Sequence, residues 1–132
     1  MGDGGMNPQL ILVIEDNPLN MKLVCDLLTI QGYQICSAMD GPSGIAMATA
    51  RQPDLILLDI QIPGMDGYEV LLHLRACEAL KNIPVIALTA HAMKGDREHI
   101  TGFGFDDYIA KPLDTKGFLE MIKRYMSRLR PA

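Results

Sequence analysis

Short, nearly unbroken apolar runs alternate along this chain with longer stretches whose apolar residues recur at the turn of a helix. The first run is "LILVI" (10–14). It leads into "NPLNMKLVCDLLTIQG" (17–32), where Leu19, Leu23, Val24, Leu27 and Leu28 share a helical spacing. Asn17 is placed to cap that helix, Pro18 sits in its first turn, and Gly32 stops it. "YQICSA" (33–38) alternates weakly, as an edge strand does, and "GPSGIAMATARQ" (41–52) reads as a short Ala-rich helix. "DLILLD" (54–59) is the third run, followed by a helix in "MDGYEVLLHLRACEAL" (65–80) with Val70, Leu71 and Leu74 inward. "IPVIALTA" (83–90) is the fourth run, and "HAMKGDREHITGFG" (91–104) the fourth helix. "DDYIA" (106–110) gives the fifth strand. "DTKGFLEMIKRYMSRL" (114–129) closes the pattern with Phe118, Ile122, Tyr125 and Leu129 one to two turns apart and Asp114 as cap.

Strands that alternate with helices imply right-handed βαβ crossovers, hence a parallel sheet covered on both faces. The central runs are apolar throughout because both of their faces are buried. The fold class is therefore a doubly wound α/β domain. The fourth helix is the weak element: its apolar residues are only Ala92, Met93, Ile100 and Phe103, and Gly95 lies inside it at a cost of about 1 kcal/mol relative to Ala. It is expected to be held loosely.

In such a sheet, ligands bind beyond the carboxyl ends of the strands. Those ends are polar here. The first run finishes in Glu15 and Asp16, the third in Asp59, the fourth in Thr89, and Lys111 follows the fifth. Singly, each has an ordinary reading as a solvated cap, a turn residue or a surface charge. Together they put three carboxylates, a hydroxyl and an ammonium at one rim. Like charges about 4 Å apart cost roughly 4 kcal/mol per pair at an effective dielectric of about 20, more than one lysine offsets. A hard divalent cation resolves the conflict, and carboxylates with water suit Mg²⁺, with Mn²⁺ an alternative. Mg²⁺, a lysine, a hydroxyl and a carboxylate nucleophile are the equipment of phosphoryl transfer through an aspartyl-phosphate.

Composition narrows the setting. The chain has 132 residues and is 48% hydrophobic, enough for one domain with a sizeable core. No apolar run approaches the ~20 residues that span a bilayer. "MGDGGMNPQ" is polar and Gly-rich, unlike a signal peptide, so residues 1–8 are expected to be a flexible leader and 9–130 the domain. Cys25, Cys36 and Cys77 are odd in number and widely spaced, as free thiols of a reducing cytoplasm are. The net charge is −4, which offers no general attraction for nucleic acid. From Lys111 to Arg130, however, six basic and two acidic residues leave a net +4. These cations either line the solvated end of a terminal helix or form a basic docking surface.

The motifs "VIEDN", "LILLDIQIPGMDG", "VIALTA" and "DDYIAKP" resemble those of the response-regulator receiver domains of bacterial phosphorelays, over roughly residues 9–130. "EDNPLNMKL" and "TAHAMKGD" further resemble single-domain DivK-type regulators and the receivers of hybrid histidine kinases. The resemblance implies a flavodoxin-like (βα)5 fold with strand order 2-1-3-4-5. It implies that Asp59 accepts a phosphoryl group from a histidine on a kinase or phosphotransfer protein. Asp16, Asp59 and the backbone carbonyl of Gln61 would hold Mg²⁺, with Glu15 reaching it through water. Lys111 would pair with the phosphoryl group, Thr89 would shift toward it, and Tyr108 would swing inward behind Thr89. The Lys111–Pro112 bond would be cis. The domain would be a monomer or a phosphorylation-dependent dimer whose α4-β5-α5 surface selects its partner. Both a free-standing regulator and a hybrid-kinase receiver fit, and no output module is expected after the last helix. His91 would influence access to the phosphoryl group, and Phe103 and Phe105 are expected to pack in the core.

Two other classes share parts of this pattern. An aspartyl-nucleophile phosphohydrolase of the haloacid-dehalogenase type wants a second Asp where Gln61 stands, and a cap domain. An FMN-binding flavodoxin wants a hydroxyl- and Gly-rich loop after the first strand, where "EDNPLN" is acidic.

Overall fold

The computed structural model describes residues 9–90 and 96–128. Five strands and five helices alternate: β1 (Leu10–Ile14), α1 (Pro18–Ile30), β2 (Gln34–Ala38), α2 (Gly41–Arg51), β3 (Leu55–Asp59), α3 (Gly67–Ala76), β4 (Val85–Thr89), α4 (Asp96–Phe103), β5 (Asp107–Ala110) and α5 (Thr115–Arg128). All strand pairs are parallel, in the order β2-β1-β3-β4-β5. This is the expected doubly wound arrangement.

Alternation along each strand splits the core in two. Leu12, Ile14, Ile56 and Leu58 pack with Ala48 of α2, with Val70, Leu71 and Leu74 of α3, and with Ile100 of α4. Ile11, Val13, Leu55 and Leu57 face the other way, onto Val24 and Leu28 of α1 and Phe118, Ile122 and Tyr125 of α5. Every residue of β1, β3 and β4 is buried, as runs covered on both faces require.

Local signals act where the sequence places them. Asn17 Oδ1 accepts from the amides of Leu19 (2.9 Å) and Asn20 (3.1 Å), Pro18 opens α1, and Gly32 follows the helix at a φ of 93° that disfavours other residues. Periodicity overreached in α1, however. Val24 and Leu28 are buried, but Leu19 is 79% and Leu23 44% exposed. These two lie on the solvent side of the stripe, beside the carboxyl ends of the strands.

Element ends also differ from the sequence pattern. The fourth run is strand only over Val85–Thr89, and α3 is shorter than its pattern, ending at Ala76. The described part of the fourth helix is Asp96–Phe103; His91, Ala92, Met93 and Gly95 lie outside the described residues, as do residues 1–8 and Leu129. Phe105 is buried as expected, whereas Phe103 is 39% exposed and packs edge-on against Tyr68, 4.7 Å between ring centres.

A clamp that the pattern did not signal ties the amino ends of β4 and β5 to α3. Arg75 donates to the carbonyls of Lys81, Ile83 and Gly104 and, at 2.8 Å, to Asp106 Oδ2. Asp106 Oδ2 also accepts from the Val85 amide. Asp106 is thus drawn out of the fifth strand, which begins at Asp107.

Candidate functional site at the carboxyl rim of the sheet

The ends of β1 and β3 and the turn after β5 bring their polar residues together. Among the described residues, Glu15, Asp16 and Asp59 each offer a carboxylate oxygen, all within 4.8 Å of one another. Glu15 is fully buried and Asp59 is 3% exposed. Lys111 reaches in from the β5–α5 turn, its Nζ 2.9 Å from Asp59 Oδ2 and 2.7 Å from Glu15 Oε1. The Lys111–Pro112 bond in that turn is cis. The Lys111 amide donates to the Thr89 carbonyl (2.8 Å), which fastens the lysine to the end of β4.

The backbone holds the Asp59 side chain from below. The Gln61 amide donates to Asp59 Oδ1 at 2.9 Å. The loop after β3 returns tightly, because Gly67 at the start of α3 donates to the Ile60 carbonyl (2.9 Å). A Cβ on Gly67 would lie 2.6 Å from Ile60 Cα and 3.0 Å from the Asp59 carbonyl oxygen, so only glycine permits this approach. Asp66 caps α3 by accepting from the Glu69 amide at 3.0 Å.

The charges sort themselves by environment. Burial pushes Glu15 up to about 7, and neighbouring Asp59 adds to the rise, while Lys111 and the Asn17 amide oppose it. Asp59 moves the other way. Burial alone would raise it, but hydrogen bonds with Glu15, Lys111 and the Gln61 amide together hold it below the usual carboxylate range. Burial likewise opposes the charge on Lys111, and its two carboxylate partners outweigh burial and raise it. Of the two carboxyls, Glu15 is thus the more readily protonated, and Asp59 is the anion paired with Lys111.

The residues fit a hard cation. The donor set is all oxygen and close-set. Glu15 Oε1 is buried, with the Lys111 ammonium 2.7 Å away.

Thr89 ends β4 and is 2% exposed. Tyr108 pairs in register with Ala87, and Thr89 with Ala110. Ala87 and Thr89 are two residues apart on one strand, so Tyr108 and Thr89 lie on the same face of the sheet. The Tyr108 ring lines a groove of about 310 Å³ between α4 and α5, with Phe118 and Met121. On the opposite flank, Ile60, Gln61, Tyr68, Thr89, Asp96 and Ile100 line a cavity of about 230 Å³ that opens toward α4.

Residues 11–123 match the family described as the response regulator receiver domain. The polar-differentiation response regulator DivK of Brucella anthropi is 44% identical over 119 residues, 90% of this chain and 97% of that protein. DivK of Brucella ovis is 46% identical over 116 residues, 88% of this chain and 94% of that protein. The receiver domain of a sensor histidine kinase from Pseudomonas aeruginosa PAO1, solved with a magnesium ion coordinated in its active site cleft, superposes with a TM-score of 0.84 at 36% identity. That match covers 92% of this chain and 99% of the other. The receiver domain of a signal transduction histidine kinase from Syntrophus aciditrophicus superposes with the same TM-score, 0.84, at 31% identity over 94% of each chain. These likenesses give no support to an aspartyl-nucleophile phosphohydrolase. With this rim of carboxylates and lysine on this fold, and a family match across most of its length, the chain belongs to the response regulator receiver family of two-component signalling.

Proposed function

We propose that Asp59 is the phosphoacceptor of this receiver and that Glu15, Asp16 and Asp59, with the Gln61 backbone carbonyl, hold Mg²⁺. The observation that carries this is the geometry of the rim: three carboxylates offer oxygens within 4.8 Å of one another, and the Lys111 ammonium lies 2.9 Å from Asp59 Oδ2. An anionic Asp59 oxygen attacks the phosphorus of a phosphohistidine on a donor protein. The bond between phosphorus and the imidazole nitrogen breaks, its electron pair returns to the ring, and an acyl phosphate forms on Asp59. A bound divalent cation supplies charge neutralisation for the phosphoryl oxygens. Lys111 exchanges its contact with Asp59 Oδ2 for one with the phosphoryl group, and the Thr89 hydroxyl bonds another of its oxygens. Tyr108 then enters the space behind Thr89, and the α4-β5-α5 surface changes its preferred partner. The donor, a histidine kinase or phosphotransfer protein, docks on Leu19 and Leu23, whose exposed side chains flank the rim.

Incubation with acetyl phosphate, with and without Mg²⁺, followed by intact mass, tests the chemistry. The expected result is a Mg²⁺-dependent gain of one phosphate that Asp59→Ala abolishes. A phosphate retained by Asp59→Ala would overturn the assignment.

A further inference from the structure

The geometry points to Arg97 as a positioning residue for the switch: its guanidinium lies over the Tyr108 ring and holds that ring in the outer groove. This rests on the proposed inward movement of Tyr108, and deepens it by naming what the movement must break. The Arg97 guanidinium carbon is 5.5 Å from the Tyr108 ring centre, within cation–π reach. Among the described residues, Arg97 forms no ion pair with a carboxylate. The aromatic face of Tyr108 is its partner.

Two positions are open to the ring. Outside, it lines the groove together with Arg97, Phe118 and Met121. Inside, the residue opposite Tyr108 on β4 is Ala87, a small side chain on the same face of the sheet as Thr89. The inner position takes the ring away from the guanidinium, so the two contacts are mutually exclusive. A contact made in one state and not in the other sets the balance between them. At a half-exposed site it is worth a factor of about two to five in the equilibrium. Arg97 thereby fixes how completely the unphosphorylated domain stays off, and how much of the phosphoryl group's binding is used in turning it on.

The test is fluorine NMR of the full chain labelled with 3-fluorotyrosine. The Tyr108 resonance is assigned by its loss in Tyr108→Phe, and Tyr33 and Tyr125 serve as internal controls of folding. In wild type with Mg²⁺, beryllofluoride is expected to move the Tyr108 signal to a second position. In Arg97→Ala, the signal without beryllofluoride is expected already displaced toward that position, by a two- to five-fold change in the equilibrium. Arg97→Lys, which keeps the cation, should stay near wild type. If Arg97→Ala matches wild type while beryllofluoride still moves the signal, the latch is overturned and the switch stands. If Ala and Lys displace the signal equally, the cation–π contact is overturned as its cause. If beryllofluoride leaves Tyr108 unmoved in wild type, the switch reading fails, and the latch with it.

Discussion

Glu15 and Asp59 share a cluster yet titrate in separate windows, and this makes their roles measurable. Folded Glu15 keeps its proton up to about 7, whereas the unfolded chain releases it near 4.5. Its contribution to stability is thus complete below 4.5 and is lost as pH rises through 7. We expect the metal-free protein to lose about 1.4 kcal/mol of stability per pH unit within that window. Asp59, held below 3.8, contributes above that pH and loses its contribution only under stronger acid. Mg²⁺ should reverse the trend by binding the ionised Glu15, so metal affinity should rise with pH across the same range. Urea titrations from pH 5 to 8, with chelator and with Mg²⁺, check this. Glu15→Gln should flatten the chelator curve, and a slope that survives in that variant would assign the effect to another group. The residues that meet at this rim were legible in the sequence because they stand at strand ends: Glu15 and Asp16 after β1, Asp59 on β3, Thr89 on β4 and Lys111 after β5. The division of charge was not: it depends on Glu15 being fully buried while Asp59 is reached by Lys111 and the Gln61 amide.

At the scale of elements, α1 and the Arg75 clamp show where reading a pattern stops. Helical spacing marks Leu19 and Leu23 as part of a stripe, but spacing does not say how much of a stripe its neighbours cover. Val24 and Leu28 are under α5 and the sheet; Leu19 and Leu23 are not. If the exposed pair receives the donor protein, Leu19→Ala with Leu23→Ala should slow phosphotransfer from a phosphorylated histidine protein at least tenfold. Transfer from acetyl phosphate should not change, because that donor touches only the rim. Equal losses with both donors would place these leucines in the chemistry or the fold instead. The clamp was illegible for a different reason. Arg75 and Asp106 are 31 residues apart, and nothing in either segment announces the other. Arg75 is partly exposed, so its ion pair is discounted, but three backbone carbonyls lose a charged donor when it is removed. Arg75→Ala is expected to cost about 2 kcal/mol in urea unfolding, with the largest rise in amide exchange over residues 104–107.

For the whole molecule, the same arrangement that binds also stores repulsion. Three carboxylates meet at the one rim where all the βα crossovers deliver their turns, and the sheet behind them is packed on both faces. The core thus supports a site that is unfavourable by itself, a common feature of functional sites. A cation that binds the folded chain and not the unfolded one returns part of that cost as stability. At a Mg²⁺ concentration one hundred times its dissociation constant, linkage gives about 2.7 kcal/mol. For a domain of this size that corresponds to a rise in Tm of roughly 10 °C. Asp16→Ala separates site from fold, because Asp16 has a proposed metal contact but no place in either core cluster. Its Tm without metal should stay near wild type or rise slightly, as one repulsive charge is removed, while its response to Mg²⁺ should disappear. A Tm that responds equally in wild type and Asp16→Ala would mean that magnesium acts elsewhere on the surface, and the carboxylates would then be held together by Lys111 and the Glu15 proton alone.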